Sequence, residues 1–316
     1  MSSNFYALEN IEDAVEDTKK LLTPFELSDW AKIAVIIIFV GGSMANFSSS
    51  GTDFDGTNSN FEGQLGEIFG EEIFNTSLSA AVILAIAIFG LALFLARSYL
   101  SGLFRFIYFQ NLHDIKNKES EQIELLDNAF RHGRNGLKYL AVFLSIIASV
   151  LVVSAAIVGS FYISVGFGAV ITLITAPFWI LVALTFFFIR GLLIPEMMLN
   201  DQNTVSSVKS VYNYILDDWK QAGIFVLVKT AIDILISIIF VVTFILGLLI
   251  LLIPVGILGF VLYSITPFLA IIPAILAIIG IVGLYFAIMV PLDTFSFHYV
   301  LGVYEDFAEQ VKKEED

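Results

Sequence analysis

Apolar and polar positions along this chain follow two rhythms. Long apolar runs alternate with shorter segments in which apolar residues recur every three or four positions. A run of about 20 residues is what an α-helix needs to cross a hydrocarbon core about 30 Å thick. The three-to-four spacing marks one face of an amphipathic helix. The runs predict six spans: Trp30–Ala45, Leu78–Ala96, Tyr139–Val158, a fourth ending at Ile189, Ala222–Ile253 and Phe268–Val290. They are unbroken, where the strands of a membrane barrel would alternate. The expected fold class is therefore all-α, a polytopic transmembrane helical bundle.

The amphipathic segments sit between these runs. Phe5–Leu22 carries Leu8, Ile11, Val15 and Leu22 at helical spacing, with Ala14 and Thr18 beside them. Its acidic residues come early and Lys19 and Lys20 late, which suits the helix dipole. A net acidic helix is repelled by anionic headgroups, so it is expected to dock on its own bundle rather than on lipid. Thr23-Pro24 ends it; Ser28 then reads as an N-cap and Trp30 as an interfacial anchor. Residues 98–112 read as the second span continuing along the interface. Residues 119–135 repeat the amphipathic pattern with Ile123, Leu126, Phe130 and Gly133. Residues 190–219 form an exit helix, a polar turn and an entry helix bearing Val205, Val208, Tyr212, Ile215 and Trp219. Uncharged turns are expected at Gly159–Gly166 and at Pro254–Gly259, and a proline kink at Pro177.

Composition narrows the class. The chain is 58% hydrophobic, with 30 acidic against 16 basic residues and no cysteine. Mean hydropathy is +0.87 and the isoelectric point about 4.5. Thiol chemistry, disulfides and cysteine-bound metals are excluded. Such acidity argues against nucleic acid and against a polybasic lipid clamp. The charge-dense start lacks the apolar core of a signal peptide.

Charge position gives the orientation. All 16 Lys and Arg fall in the N-terminal segment, the connectors at 97–136 and 190–220, the tail, or span ends beside these. The loop at 46–75 has six acidic residues and no basic one. By the positive-inside rule both termini are cytoplasmic, the acidic loop is extracellular, and the protein is a multi-pass cell-membrane protein. Residues 1–308 then form one membrane domain and 309–316 a charged tail.

Three helical-hairpin units can be written, at roughly 5–112, 119–201 and 203–308. Entries end in Trp30-Ala31-Lys32, Leu137-Lys138 and Trp219-Lys220; exits begin at Arg97, Arg190 and Val290-Pro291. Any chain of helical hairpins has such boundaries, so internal repetition and generic topology both remain open. The connectors together form an amphipathic collar at the cytoplasmic interface, marked by Arg97, Arg105, Arg190, Pro195, Trp219 and Pro291.

These segments carry a family resemblance. ALENIEDAVEDTKKLLTPFELSDWAKIAVIIIFVGG (7–42), RGLLIPEMMLND (190–201), DDWKQAGIFVLVK (217–229) and VPLDTFSFHYVLGVYED (290–306) together resemble an uncharacterised family of six-span euryarchaeal, hence archaeal, membrane proteins. That family is similar in pattern to the membrane domain attached to some glycerophosphoryl diester phosphodiesterases. The resemblance rests on helix-boundary patterns and implies the fold without an activity. No segment here could form the phosphodiesterase barrel.

Candidate chemistry is sparse. Lys229 and Asp233 share a helix face in the fifth span, and ionisable groups in a span are functional candidates by default. With the membrane core starting near Ile234, a self-satisfied interfacial pair is the blander reading. His113, His132 and His298, with Asp114 and Asp293, could assemble a metal or general-base site, but no HExxH-type spacing exists. Asp53-Phe54-Asp55-Gly56 with Asn58 and Asn60 resembles only part of a calcium loop. Asn46 and Asn75 open sequons for glycosylation on the outer side. Small residues line the second span (Ala81, Ala85, Ala92, Ala96) and the sixth (Ala274, Ala277, Gly280, Gly283, Ala287), as close helix packing requires. No catalytic residue, metal or cofactor is expected. Membrane lipids are the expected partners, with room for a protein at the cytoplasmic face. Three functions follow: a non-enzymatic scaffold or lipid-organising protein acting through the collar, a transporter or channel for a small or lipidic solute, or a membrane-embedded lipid enzyme using the histidines.

Overall fold

The computed structural model of the protein describes residues 5–40, 77–117, 122–199 and 204–315. Among the described residues there is no strand. Nine α-helices carry the described residues: α1 (Tyr6–Leu22), α2 (Leu27–Val40), α3 (Ser77–Lys116), α4 (Leu126–Ile163), α5 (Val165–Phe188), α6 (Ile194–Leu199), α7 (Thr204–Asp217), α8 (Trp219–Ile265) and α9 (Ile271–Glu315). A π-helical turn (Ile189–Leu193) joins α5 to α6, and a 3-10 turn (Pro267–Ala270) joins α8 to α9.

Among the described residues, five helices are long and apolar enough to cross a membrane: Val82–Lys116, Asp127–Ile163, Val165–Leu199, Trp219–Ile265 and Pro267–Gln310. The protein is thus a multi-pass helical bundle. The sixth expected span begins in α2, whose described part ends at Val40; residues 41–76, with the expected extracellular loop and its Asn46 and Asn75, lie outside the described residues. At 1.5 Å per residue, α3, α8 and α9 are each about 60–70 Å long, roughly twice a bilayer core. Each therefore has one half to spare beyond the membrane. The expected exit and entry segments are these continuations: residues 98–112 lie within α3 and 291–315 within α9.

Prolines act differently at three places. A turn was expected at Pro254–Gly259, but Pro254 lies inside α8, which runs unbroken to Ile265. One missing N–H costs less in lipid than unwinding a whole turn whose backbone groups would find no water. The chain reverses instead at Thr266, extended at φ −152° and ψ 139°, because the residue before a proline is pushed out of the helical region. At Pro195 the ladder adjusts: the ring cannot donate to the carbonyl four residues back, and the helix widens into the π turn just before it. Pro291 and Pro177 stay within α9 and α5.

The reversal expected at Gly159–Gly166 is tighter than its sequence implies. Only Ser164 leaves the helix, and its side chain accepts the Phe167 N–H at 3.1 Å as an N-cap. Gly168 permits this: a Cβ there would lie 2.4 Å from the Phe161 ring.

In order of packing, α5 lies on α4, α4 on α3, α3 on α2, α2 on α9, and α9 on α8. Ile33, Ile36, Ile37 and Val40 of α2 are buried in the middle of this row. The two ends, α5 and α8, meet low down, where the rings of Phe187 and Phe188 sit 5.6 and 6.2 Å from that of Phe225. Elsewhere the described residues of α5 and α8 share no extensive contact.

The core lies at that same end. Phe106–Phe109 of α3, Leu192–Ile194 around the π turn, Phe225 of α8 and Met289–Tyr304 of α9 supply most of the fully buried bulk. In the most apolar stretches of the membrane helices, by contrast, 0% of residues are buried in three and 11% in the other two. We call the buried region the packed end.

α1 lies antiparallel along the end of α9. The Tyr6 hydroxyl donates to Gln310, the Asn10 amide to Asp306 at 2.6 Å, and Thr18 meets His298 at 3.2 Å. Each step up α1 is matched by an equal step down α9. Contact is made by Ala7, Asn10, Ala14, Thr18 and Leu22, while Leu8 and Val15 are exposed. The docked face is thus turned from the Leu8–Val15 stripe, because a close approach needs small residues. At Gly302 a Cβ would stand 2.1 Å from the Asn10 amide oxygen.

Candidate functional site

Three polar clusters lie within the packed end, each joining helices distant in sequence. The first centres on Glu196, directly after Pro195 on α6 and 0% exposed. Its Oε2 accepts hydrogen bonds from the Tyr214 hydroxyl of α7 at 2.9 Å and the Tyr304 hydroxyl of α9 at 2.7 Å. Its buried Oε1 has no hydrogen-bond partner. Fixing a carboxylate away from water is costly unless its lone pairs are met. Two phenols and one bare oxygen make this a demanding polar group in the described core.

The second cluster is the Lys229–Asp233 pair. Lys229 donates to Asp233 one turn along α8 and to the Ser296 hydroxyl of α9 at 3.1 Å. The ammonium thus ties α8 to α9, and Asp233 keeps partial access to solvent. The two residues singled out from sequence are joined by a third, Ser296, which spacing along one helix could not reveal. Nearby, the Tyr299 hydroxyl is buried without a hydrogen-bond partner.

The third cluster joins α3 to α9. The Tyr108 and Thr294 hydroxyls share a hydrogen bond at 2.5 Å, both fully buried. Lys116 and His113 both reach Glu305, at 2.5 and 3.5 Å.

The histidines do not converge. His113 faces Glu305, His298 faces Thr18, and the His132 ring stacks on Phe106 at 5.8 Å. Among the described residues no group of three His, Asp or Glu is arranged to hold a metal ion.

The boundary residues have separate placements. Arg105 donates to the Val40 carbonyl at 3.4 Å, where Ser101 also binds at 3.1 Å, so both secure α2 against α3. Arg97 is exposed on α3. Pro195 is buried in α6, and Pro291 is half-buried in α9. Trp219 opens α8 and is exposed, behind an N-cap in which Asp218 accepts the Gln221 N–H at 3.1 Å. The side chain of Arg190 lies outside the described residues.

Sequence reading passed over Glu196, Tyr214 and Tyr304. One signal was present: RGLLIPEMML holds a single acid with apolar neighbours on both sides. A lone carboxylate in such a setting must find buried donors or face outward.

The long apolar helices and the absence of strands among the described residues define an α-helical multi-pass membrane protein. Residues 5–313 match the family of unknown function DUF7544, and the chain belongs to that family. No curated protein and no solved structure matches it.

Proposed function

We propose that this protein is a non-enzymatic integral membrane protein that organises lipid or a protein partner through its packed end. The charge distribution supports placing that end and both termini in the cytoplasm, and the protein in the cell membrane. The observation that carries the reading is the two-sidedness of the packed end. α7 buries Ser207, Val211 and Tyr214 while exposing Val205, Val208, Tyr212 and Leu216, with exposed Trp219 continuing the stripe. An outward apolar stripe beside membrane helices suits a lipid interface or a partner helix. The resemblance to euryarchaeal six-span proteins and to a phosphodiesterase-attached membrane domain supports the same view of a membrane domain without chemistry of its own.

Purification in mild detergent, with mass spectrometry of copurifying proteins and lipids, tests this. Specific copurification is expected, and its loss on changing Val205, Tyr212 and Leu216 to Gln assigns it to α7. Recovery of nothing above a control membrane protein removes the reading.

A second reading, transport of a lipidic solute, draws support from the way α5 and α8 meet at Phe225 and have no extensive contact elsewhere. Crosslinking cysteines introduced at Phe187 and Phe225, whose rings lie 5.6 Å apart, tests it. Transport that survives the crosslink, or no transport at all in proteoliposomes, removes this alternative.

A further inference from the structure

We infer that the first turns of α4 form a binding surface for the phosphodiester headgroups of anionic phospholipid. The whole chain carries a net charge of −14, which hides a local basic surface. Between Asp127 and Ile163, α4 has no acidic residue after Asp127 itself. It does have Arg131, Arg134 and Lys138, spaced three and four apart so that they share a helix face. The arginines are exposed and the lysine half-buried. None of the three forms an ion pair or hydrogen bond among the described residues, although the chain has almost twice as many acids as bases.

The opposite face explains how the surface is presented. His132, Gly136 and Tyr139 are buried against Phe106, Leu103 and Gly102 of α3. Tyr99 packs 3.2 Å from the Cβ position of Gly136, and its hydroxyl donates to the Gly133 carbonyl at 3.3 Å. With that face fixed, the cations must point outward. Phe94 meets Phe143, and Tyr99 meets Gly136. This antiparallel register brings exposed Arg97 to about the height of Lys138, where the apolar run of α4 begins.

Apolar groups among the cations select lipid over a soluble anion. Phe130 is 87% exposed and Leu137 is exposed about two helical turns later, interleaved with Arg134. In water both would cost free energy; at a membrane interface the rings and methyls enter the acyl boundary while the cations meet phosphate. Arg131 to Lys138 rises about 10 Å along the helix, within the depth of a headgroup layer plus the reach of these side chains. α7 provides the contrast: its apolar stripe is flanked by Lys209 and Lys220 but also by Asp217 and Asp218, with no charge excess.

This inference rests on the membrane-organising reading and names its lipid class. The test uses the full chain in nanodiscs of phosphatidylcholine with a minority of phosphatidylglycerol, and native mass spectrometry of the lipids retained after transfer to detergent. Retention of phosphatidylglycerol over phosphatidylcholine by about a hundredfold is expected, falling roughly fivefold per cation removed. The variant R131Q/R134Q/K138Q loses the preference, and K209Q/K220Q keeps it. Arg134→Gln alone gives the single-step loss if the triple variant fails to fold. No preference in the wild type overturns the inference, as does a triple variant that keeps it. Displacement of the lipid by millimolar inorganic phosphate would show a free-anion site and overturn the lipid assignment. Proteins that copurify equally with wild type and triple variant leave the membrane-organising reading standing, so the two ideas fail separately.

Discussion

Phe225 and Ile250 lie on one continuous helix, α8, yet in different surroundings. Phe225 is 1% exposed, with the rings of Phe187, Phe188 and Tyr299 around it. Ile250, seven turns further on, is 76% exposed. The same contrast runs through α3, α4 and α9. It follows from the solvent. Where water competes, burying apolar area drives helices together. In lipid that drive vanishes, because acyl chains are as apolar as the side chains, and close backbone approach has to replace it. The α8–α9 hairpin shows the replacement. A Cβ on Gly280 would lie 2.6 Å from Leu251, and one on Gly247 2.6 Å from Leu284. Each leucine fills the notch left by a glycine on the facing helix.

The sharpest way to break this contrast is at the packed end. Phe225→Ala should cost about 3–5 kcal/mol, read as a lower thermal unfolding midpoint in detergent. A loss below about 1 kcal/mol would mean that this end is not the stabilising core. Tyr304→Phe should cost about 1.5–3 kcal/mol, since it removes a hydroxyl donor from a carboxylate that water cannot reach. Glu196→Gln is the companion change: if the carboxylate charge matters to the two phenols, the double variant will not be additive. Within the membrane, Gly280→Val should cost about 1–3 kcal/mol by forcing Leu251 aside. Gly283→Val, with nothing within 4 Å of its Cβ position, should be close to neutral. Equal effects at the two glycines would refute the notch packing. The smallest effect is expected for Ile250→Ala, below about 0.5 kcal/mol in detergent, as for other exposed sites. A large loss there would reveal a partner helix covering α8.

Much of this was legible in the chain. Apolar run length gave the membrane helices, and α1 was marked by its period and its Thr23-Pro24 stop. The Lys229–Asp233 pair was legible because both members sit on one helix, where spacing alone sets distance. Ser296, the third member, was not, since it arrives from α9. Pro254 misled because a proline marks a lost hydrogen bond whether or not the helix breaks. Leu8 and Val15 misled because hydrophobicity favours burial in water, whereas α1 docks through the small residues that fit against Gly302.

By itself, the sequence determined the class: an all-helical, multi-pass chain with its basic residues held to one set of connectors. Local spacing and run length carry that information, and both are properties of a single helix. Tertiary structure alone decided which half of each long helix is packed, and that Glu196, Tyr214 and Tyr304 meet. It also decided that Arg131, Arg134 and Lys138 have no carboxylate partner among the described residues. Those facts depend on which surfaces of separate helices exclude water together, and no stretch of one helix records what will lie against it.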